Sequence, residues 1–348
     1  NNFIIPKGWF LNITPGSKFV TVGGALANDV HGKNHHKDGS FSDYVDEIEI
    51  IKENGESITC SQENNPELFN STCGGIGLTG IITYAKIKLL KINSKNIDVT
   101  IIKTNNFEET IQKFKELKSY KYLVAWTDTL NKKNIGRSII FCGEHSNDND
   151  LKYKTQKTYK FPASIGSFLM NSFCIKLFNL FYFFIHKNNK KFKKDINSFF
   201  YPLDSIYNWN KFYGNNGFTQ IQILIKNDQK SKEVLSKVLN YFAEKKFYSY
   251  LTTLKEYGRG NKNLLSFGEK GLSITMDIPL KKNFSIIYEE FESKFKNENI
   301  KVYLAKDSFM SKTFFKKTYE NLSIFVESQK KFNPNSTFKS KLSERLGL

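Results

Sequence analysis

The chain has 348 residues, enough for two domains with substantial cores. Hydrophobic residues at 39% and aromatics at 15% exclude a disordered or low-complexity chain. The formal net charge of +18 invites a nucleic-acid partner, but only three of the 52 basic residues are arginine (Arg137, Arg259, Arg345) and no nucleic-acid motif accompanies them, so no nucleic acid is expected. The joint abundance of Lys, Asn, Ile and Phe points to codon bias as the main source of the charge, with attraction to an anionic membrane or lipid phosphate next. Cys60, Cys73, Cys142 and Cys174 form no CxxC pair, which argues against a structural zinc site and a disulfide framework. Adjacent His35 and His36 point apart in an extended segment, so no metal is expected.

In chain order, the most informative stretch is Phe19–His36, FVTVGGALANDVHGKNHH. A strand-like run at Phe19, Val20 and Val22 meets Gly23 and Gly24, which let the backbone press against a ligand and leave N–H groups free to face an anion. Val45–Ile51 alternates as a strand, Lys52–Ser57 holds an Asn-Gly turn, Pro66–Asn70 starts a helix, and Ile81–Leu90 alternates again. The second glycine cluster, Cys73–Ile82 (CGGIGLTGII), leaves tight packing and cofactor contact both open for Gly74, Gly75, Gly77 and Gly80. Lys91–Asn96 reads as a hinge. Beyond it the pattern predicts strands at Ile97–Ile102, Tyr122–Asp128, Ser138–Glu144, Thr219–Ile225 and Ser273–Pro279, and helices at Phe107–Leu117, Ser231–Lys245 and Phe284–Asn297.

Ile165–His186 (IGSFLMNSFCIKLFNLFYFFIH) is the most apolar stretch. Asn171, Ser172, Lys176 and Asn179 interrupt it, which disfavours a membrane span. Lysines 187, 190, 191, 193 and 194 follow at once. That combination suits either a helix in the membrane interface or a buried helix with a solvated lysine tail.

The strings VTVGGALANDVHGKNHHKDGSFSDYV and LFNSTCGGIGLTGIITYAKIKLL resemble the FAD-binding domain of the vanillyl-alcohol-oxidase-type flavoproteins, and within them the decaprenylphosphoryl-β-D-ribose 2′-oxidase family. VAWTDTL, GRSIIFCGEHS, FFYPLDSIYNWNKFYGNNGFTQIQ, LTTLKEYGRGN, LSFGEKGLSITMDIPL, YLAKDS and FNPNSTFKSKLSERLGL continue the likeness in the family's order, with weak stretches at 92–120, 150–197 and 226–248. The resemblance implies an α+β two-domain flavoprotein. Residues 1–94 would be the later part of an FAD-binding α+β domain whose N-terminal subdomain is missing. Residues 95–300 would form a substrate or cap domain with an antiparallel sheet flanked by helices, and 301–348 would return to the FAD domain. The expected enzyme oxidises a secondary sugar hydroxyl with FAD; its substrate would be a polyprenyl-phosphoryl pentose and its partner a reductase, in cell-envelope glycan synthesis. The alternatives are a soluble sugar, aldonolactone or alcohol as substrate, or an inactive truncated remnant. Location is open between the cytoplasm and a peripheral or periplasmic membrane face.

The same resemblance assigns cofactor binding to Gly16, Thr21, Val22, Gly23, Gly24, Asn28, Asp29, Val30, His31, Ile82 and Tyr303. It assigns catalysis to Lys306 and His31, with Lys306 binding or polarising the reacting hydroxyl; whether Lys306, His31 or water is the base stays open. Lys33, Trp126, Phe200, Gln220, Gln222, Lys255, Ser273 and Thr275 are expected at the substrate. Gln220 and Gln222, two apart on a strand, share a face, and Lys33 and Lys255 are candidates for a phosphate. Thr275 stands where mycobacterial members have cysteine, Ser273 where they have asparagine and Phe200 where tyrosine is usual, changes that bear on the sugar contacts and not on hydride transfer.

Overall fold

The computed structural model describes the chain except for residues 131–134, 161–169, 215, 228–229 and 248. Strands β1 (Trp9–Leu11), β2 (Val45–Ile51), β3 (Ser57–Cys60), β4 (Ile81–Ile87) and β5 (Leu89–Lys91) form two small sheets, β1–β5 and β3–β2–β4. The short helices α1 (Val22–Ala27), α2 (His35–Asp38) and α3 (Pro66–Thr72) pack around them. Leu26, Ile48, Ile50, Leu68 and Phe69 fill their shared core.

Residues 96–302 supply an eight-stranded antiparallel sheet. Its strands are β6 (Asn96–Thr104), β7 (Tyr122–Thr127), β8 (Ser138–His145), β10 (Lys191–Asp195), β12 (Phe218–Lys226), β13 (Thr252–Tyr257), β14 (Gly271–Pro279) and β15 (Ile300–Val302). They lie in the order β10-β6-β8-β7-β13-β14-β12-β15, and the pair β9 (Tyr159–Lys160) with β11 (Ile206–Tyr207) stands outside. Side-chain alternation gives this sheet two chemically different faces. Leu272, Ile274, Met276 and Ile278 of β14, with Ile221, Ile223 and Ile225 of β12 and Leu254 of β13, bury on one face. Over it lie α4 (Phe107–Glu116), α7 (Ser231–Glu244) and α8 (Phe284–Phe295). The intervening residues Ser273, Thr275, Asp277, Gln220 and Gln222 turn to the other face, which helix α5 (Ser172–Ile185), the short α6 (Ile196–Phe200) and the N-terminal region cover.

The last helices are α9 (Lys312–Thr318), α10 (Leu322–Phe332) and α11 (Lys341–Leu346). Phe314, Phe315 and Phe325 enter the sheet's core, while Ser328 bonds Ser71 at 2.6 Å and Asn335 Nδ2 donates to Glu53 at 2.7 Å. This segment therefore holds both parts of the chain.

Two features depart from the sequence pattern. Phe19–Val22 forms no strand: Thr21 Oγ1 accepts from Gly24 N at 3.0 Å and starts α1, placing Gly23 and Gly24 inside a helix. Phe19, Val20 and Val22 are exposed, so nothing apolar holds an extended conformation there. The lysine run, conversely, contains strand β10, whose pairing with β6 matches Lys191 to Thr100 and Asp195 to Asn96. Within the second glycine cluster Gly75 and Gly80 are tightly packed, whereas Gly77 has nothing within 4 Å of a Cβ position. A Cβ on Gly75 would lie 1.8 Å from Ser71 O, and Gly80, at φ +149°, would place one 2.3 Å from Ile50.

Candidate active site

Residues paired directly across antiparallel strands project to the same face. The register sets Trp126 opposite Thr253, Thr253 opposite Thr275, and Thr275 opposite Gln222. Tyr303 N donates to Gln222 O at 2.9 Å and extends the row across β15. The neighbouring rows carry Lys255 opposite Ser273, and Gln220 opposite Asp277. Six of the expected substrate residues, together with Tyr303, are thus laid on one floor by strand pairing alone.

The N-terminal region supplies the wall. After α1 the chain turns through Asp29 at φ +39°, and the buried Asp29 carboxylate fixes that turn. Ser42 N donates to Oδ1 at 3.0 Å; Asn261, Asn263 and Ser266 donate to Oδ2 at 2.7, 3.0 and 2.6 Å. Three of these donors meet on Oδ2 and one on Oδ1, so the Asp29 side chain ties the loop to the 261–266 segment. Asp29→Ala is expected to cost about 3 kcal/mol in urea denaturation, since it removes the shared acceptor of four donors, Ser42 N and Ser266 Oγ among them buried.

His31, two residues on, is buried with ring centroids 5.2 Å from Tyr257, 5.5 Å from Phe267 and 4.9 Å from Tyr303. Gln222 Nε2 lies 2.9 Å from His31 Nε2, 2.9 Å from Tyr257 Oη and 3.0 Å from Ser273 Oγ. An amide nitrogen has only two hydrogens for those three neighbours, and Gln222 Oε1 is buried without a partner. His31 Nδ1 is buried and unpartnered as well. Burial first, then Lys255 and Lys306, push the His31 pKa well below its usual value, so the ring is neutral. Behind it His35 stacks on Tyr257 at 4.3 Å and accepts from Gly258 N at 3.2 Å.

Three lysines converge on the same pocket. Burial, with Lys306 and Lys33 adding repulsion, lowers Lys255 to about 7. Burial and Lys194 lower Lys33 to about 7, and burial lowers Lys306 to about 8 with Asp277 pulling the other way. Lys33 Nζ donates to Phe199 O and lies 4.4 Å over the Phe199 ring; Lys255 Nζ reaches Gly32 O only at 3.5 Å. Asp277 accepts from Gln220 at 2.5 Å and from Tyr213 at 3.1 Å.

Trp126 ends that floor, and the remaining expected residues sit further out. Trp126 donates Nε1 to Tyr250 O at 3.1 Å and packs on Tyr182 of α5. Phe200 is buried among Phe10, Tyr122 and Phe199 and meets the pocket only through Lys33, 5.8 Å from its ring. Gly23 packs on Ile82, and Asn28 O accepts from Tyr303 Oη at 3.1 Å. Gly16 and Thr21–Gly24 lie along the outer edge of this wall, and Val30 is in its core. Sequence reasoning passed over His35, Tyr257, Phe267 and Asp277. Tyr257 and Asp277 follow Lys255 and Thr275 by two in their strands, and that spacing carries the signal.

Residues 1–61 match the FAD-binding domain family. Over 357 aligned residues the chain is 30% identical to decaprenylphosphoryl-β-D-ribose oxidase of Mycolicibacterium smegmatis, covering 99% of this chain and 77% of the relative. The chain belongs to the decaprenylphosphoryl-β-D-ribose oxidase family. It is also 22% identical to an uncharacterised protein of Streptomyces coelicolor, over 99% of this chain and 98% of that one. A shorter match, 44% over 70 residues, covers 20% of this chain and 14% of cytokinin dehydrogenase 2 of Arabidopsis thaliana. The family fixes the enzyme class, an FAD-dependent oxidoreductase, and the cofactor, FAD. The residues fit that cofactor: His31 Nδ1 and one end of the Gln222 amide are buried polar atoms awaiting a ligand, beside Tyr303 and Phe267.

Proposed function

We propose that the enzyme oxidises a secondary hydroxyl of a sugar, the 2′-hydroxyl of a polyprenyl-phosphoryl pentose. The observation that carries this reading is the grouping of Lys33, Lys255 and Lys306 above a polar strand floor, three half-buried lysine side chains with Asp277 the carboxylate that acts on Lys306. Such a concentration of half-buried amines, each able to take up a proton beside an anion, suits an anionic substrate. FAD, when bound, supplies the hydride acceptor. Gly16, Thr21–Gly24, Asn28–His31, Ile82 and Tyr303 are the residues proposed to hold it.

Lys306 accepts the hydroxyl proton as its free amine, and Asp277 beside it steadies the ammonium that forms. The phosphate's own charge favours the ammonium forms of Lys33 and Lys255, which bind it as point charges. Gln220, Gln222, Ser273 and Thr275 orient the sugar, and neutral His31 would offer its unpartnered Nδ1 to the cofactor. Trp126 bounds the far end of the polar row, and Phe200 acts by packing beside Lys33. The keto sugar then passes to a reductase, which completes an epimerisation in envelope glycan synthesis. A lipid-linked substrate also calls for peripheral membrane contact through residues 165–194, of which 165–169 lie outside the described residues. No helix among the described residues is long and apolar enough to cross a membrane.

The test is an anaerobic visible spectrum of the purified holoenzyme. Adding a polyprenyl-phosphoryl ribose should bleach the flavin band. Bleaching by free sugars or aldonolactones alone would transfer the reading to a soluble substrate.

A further inference from the structure

Helix α5 is built the wrong way round for a soluble protein. Its inward residues recur at Ile175, Asn179, Tyr182 and His186, one helical face at spacings of four, three and four. The polar groups lie on that side. Buried Asn179 donates to Asp128 Oδ1 at 2.7 Å, and Asp128 is held by Arg137 at 2.8 Å. Tyr182 packs on Trp126 at 4.8 Å and Phe178 on Tyr250 at 5.1 Å. The opposite face carries Phe173, Leu177, Leu180, Phe181 and Phe184, all exposed, with Phe173 at 72% and Phe184 at 82%. Scattered exposed apolar residues are ordinary, but an unbroken outward stripe of aromatic and leucine side chains marks a contact surface.

The charge around the stripe selects the partner. Residues 151–194 contain ten lysines and no carboxylate. Lys176 sits on the helix flank, and Lys187, Lys190 and Lys191 follow its C-terminus, all exposed. An apolar helical face edged only by lysine matches the interface of an anionic bilayer, where acyl chains take the rings and headgroups take the ammonium groups.

We infer that α5 docks the enzyme on an anionic lipid surface, with Phe173, Leu177, Leu180, Phe181 and Phe184 entering the acyl boundary. The Asn179–Asp128–Arg137 pin fixes the helix just beyond the end of β7, and Trp126 joins it to the end of the polar row. The docked face therefore lies beside the pocket rather than remote from it. This deepens the lipid-linked substrate reading and rests on it for its purpose.

The experiment is flotation of the holoenzyme with phosphatidylcholine vesicles and with vesicles containing about 30 mol % phosphatidylglycerol, without substrate. Binding to the anionic vesicles, weakened by salt, is expected. Phe181→Ser combined with Phe184→Ser should weaken partitioning by about a hundredfold with an unchanged thermal midpoint. Phe184→Trp should bind like the unaltered protein and gain fluorescence that brominated lipid quenches. Wild-type protein that floats with neither vesicle overturns the inference, as does a serine variant that binds as well as wild type. A dimer that the serine pair dissolves, with no lipid binding, would assign the stripe to a second copy and overturn it too. Vesicle binding without flavin bleaching by the lipid-linked sugar would sink the substrate reading and leave the docking surface standing.

Discussion

Lys306→Met is expected to retain the flavin spectrum and to lose turnover by about a thousandfold, the range set by removing a positioned proton acceptor. The argument starts from desolvation. Burial lowers the Lys306 pKa to about 8, so a large fraction is free amine at mildly alkaline pH, and Asp277 limits the fall by favouring the ammonium form. An amine that must be unprotonated makes kcat rise with pH through about 8 and level off above it. The methionine variant should show no such limb, and an added small alkylamine should restore part of the rate. Asp277→Asn removes the opposing charge, so its kcat limb should move to lower pH. An unchanged profile in the asparagine variant, or a Lys306→Met enzyme with wild-type turnover, would move the base to another group.

Much of the scaffold was legible because its strands alternate strictly. In GLSITMDIPL the apolar Leu272, Ile274, Met276 and Ile278 interleave with Ser273, Thr275 and Asp277, and the strand Gly271–Pro279 follows that pattern. Val45–Ile51 has the bounds its alternation predicts. Strand β10 escaped notice because KFKKD offers a single apolar residue, Phe192; its place is set by pairing with β6 nearly a hundred residues away. The strand-like reading of Phe19–Val22 failed for the opposite reason. Its β-branched and aromatic residues have no surface to cover, and a local Thr21 cap wins. Within the site, the Gln220 and Gln222 spacing revealed a shared face but not its neighbours. Register alone places Thr275 beside Gln222 and Lys255 beside Ser273, and register depends on pairings that single-strand patterns do not encode. The Asp29 network was hidden because its donors, Asn261, Asn263 and Ser266, lie more than two hundred residues away and have no distinctive spacing.

Lys255→Met should raise stability while it damages binding, which separates a functional lysine from a structural one. Burial, with repulsion from Lys306 and Lys33, brings the folded pKa to about 7 against an ordinary 10.5. Between these values the unfolded chain holds a proton that the folded chain lacks, so the wild-type contribution to stability improves as pH rises from about 7 toward 10.5. Below about 7 the folded state carries the full cost of a desolvated charge. Methionine has similar length and no charge, so at pH 6 the variant should be more stable by on the order of 3 kcal/mol, a gain that shrinks steadily toward pH 10. Urea denaturation at pH 6 and pH 9.5 measures the difference. In the proposed reaction the same change should raise KM for the phosphoryl sugar by about thirtyfold, through loss of one charge-assisted contact, and leave KM for an uncharged sugar nearly unchanged. A variant less stable than wild type at pH 6 would mean that Lys255 is satisfied in the folded chain and is not held in reserve for an anion. The stabilising outcome with an unchanged KM would keep the electrostatics and move the phosphate toward Lys33.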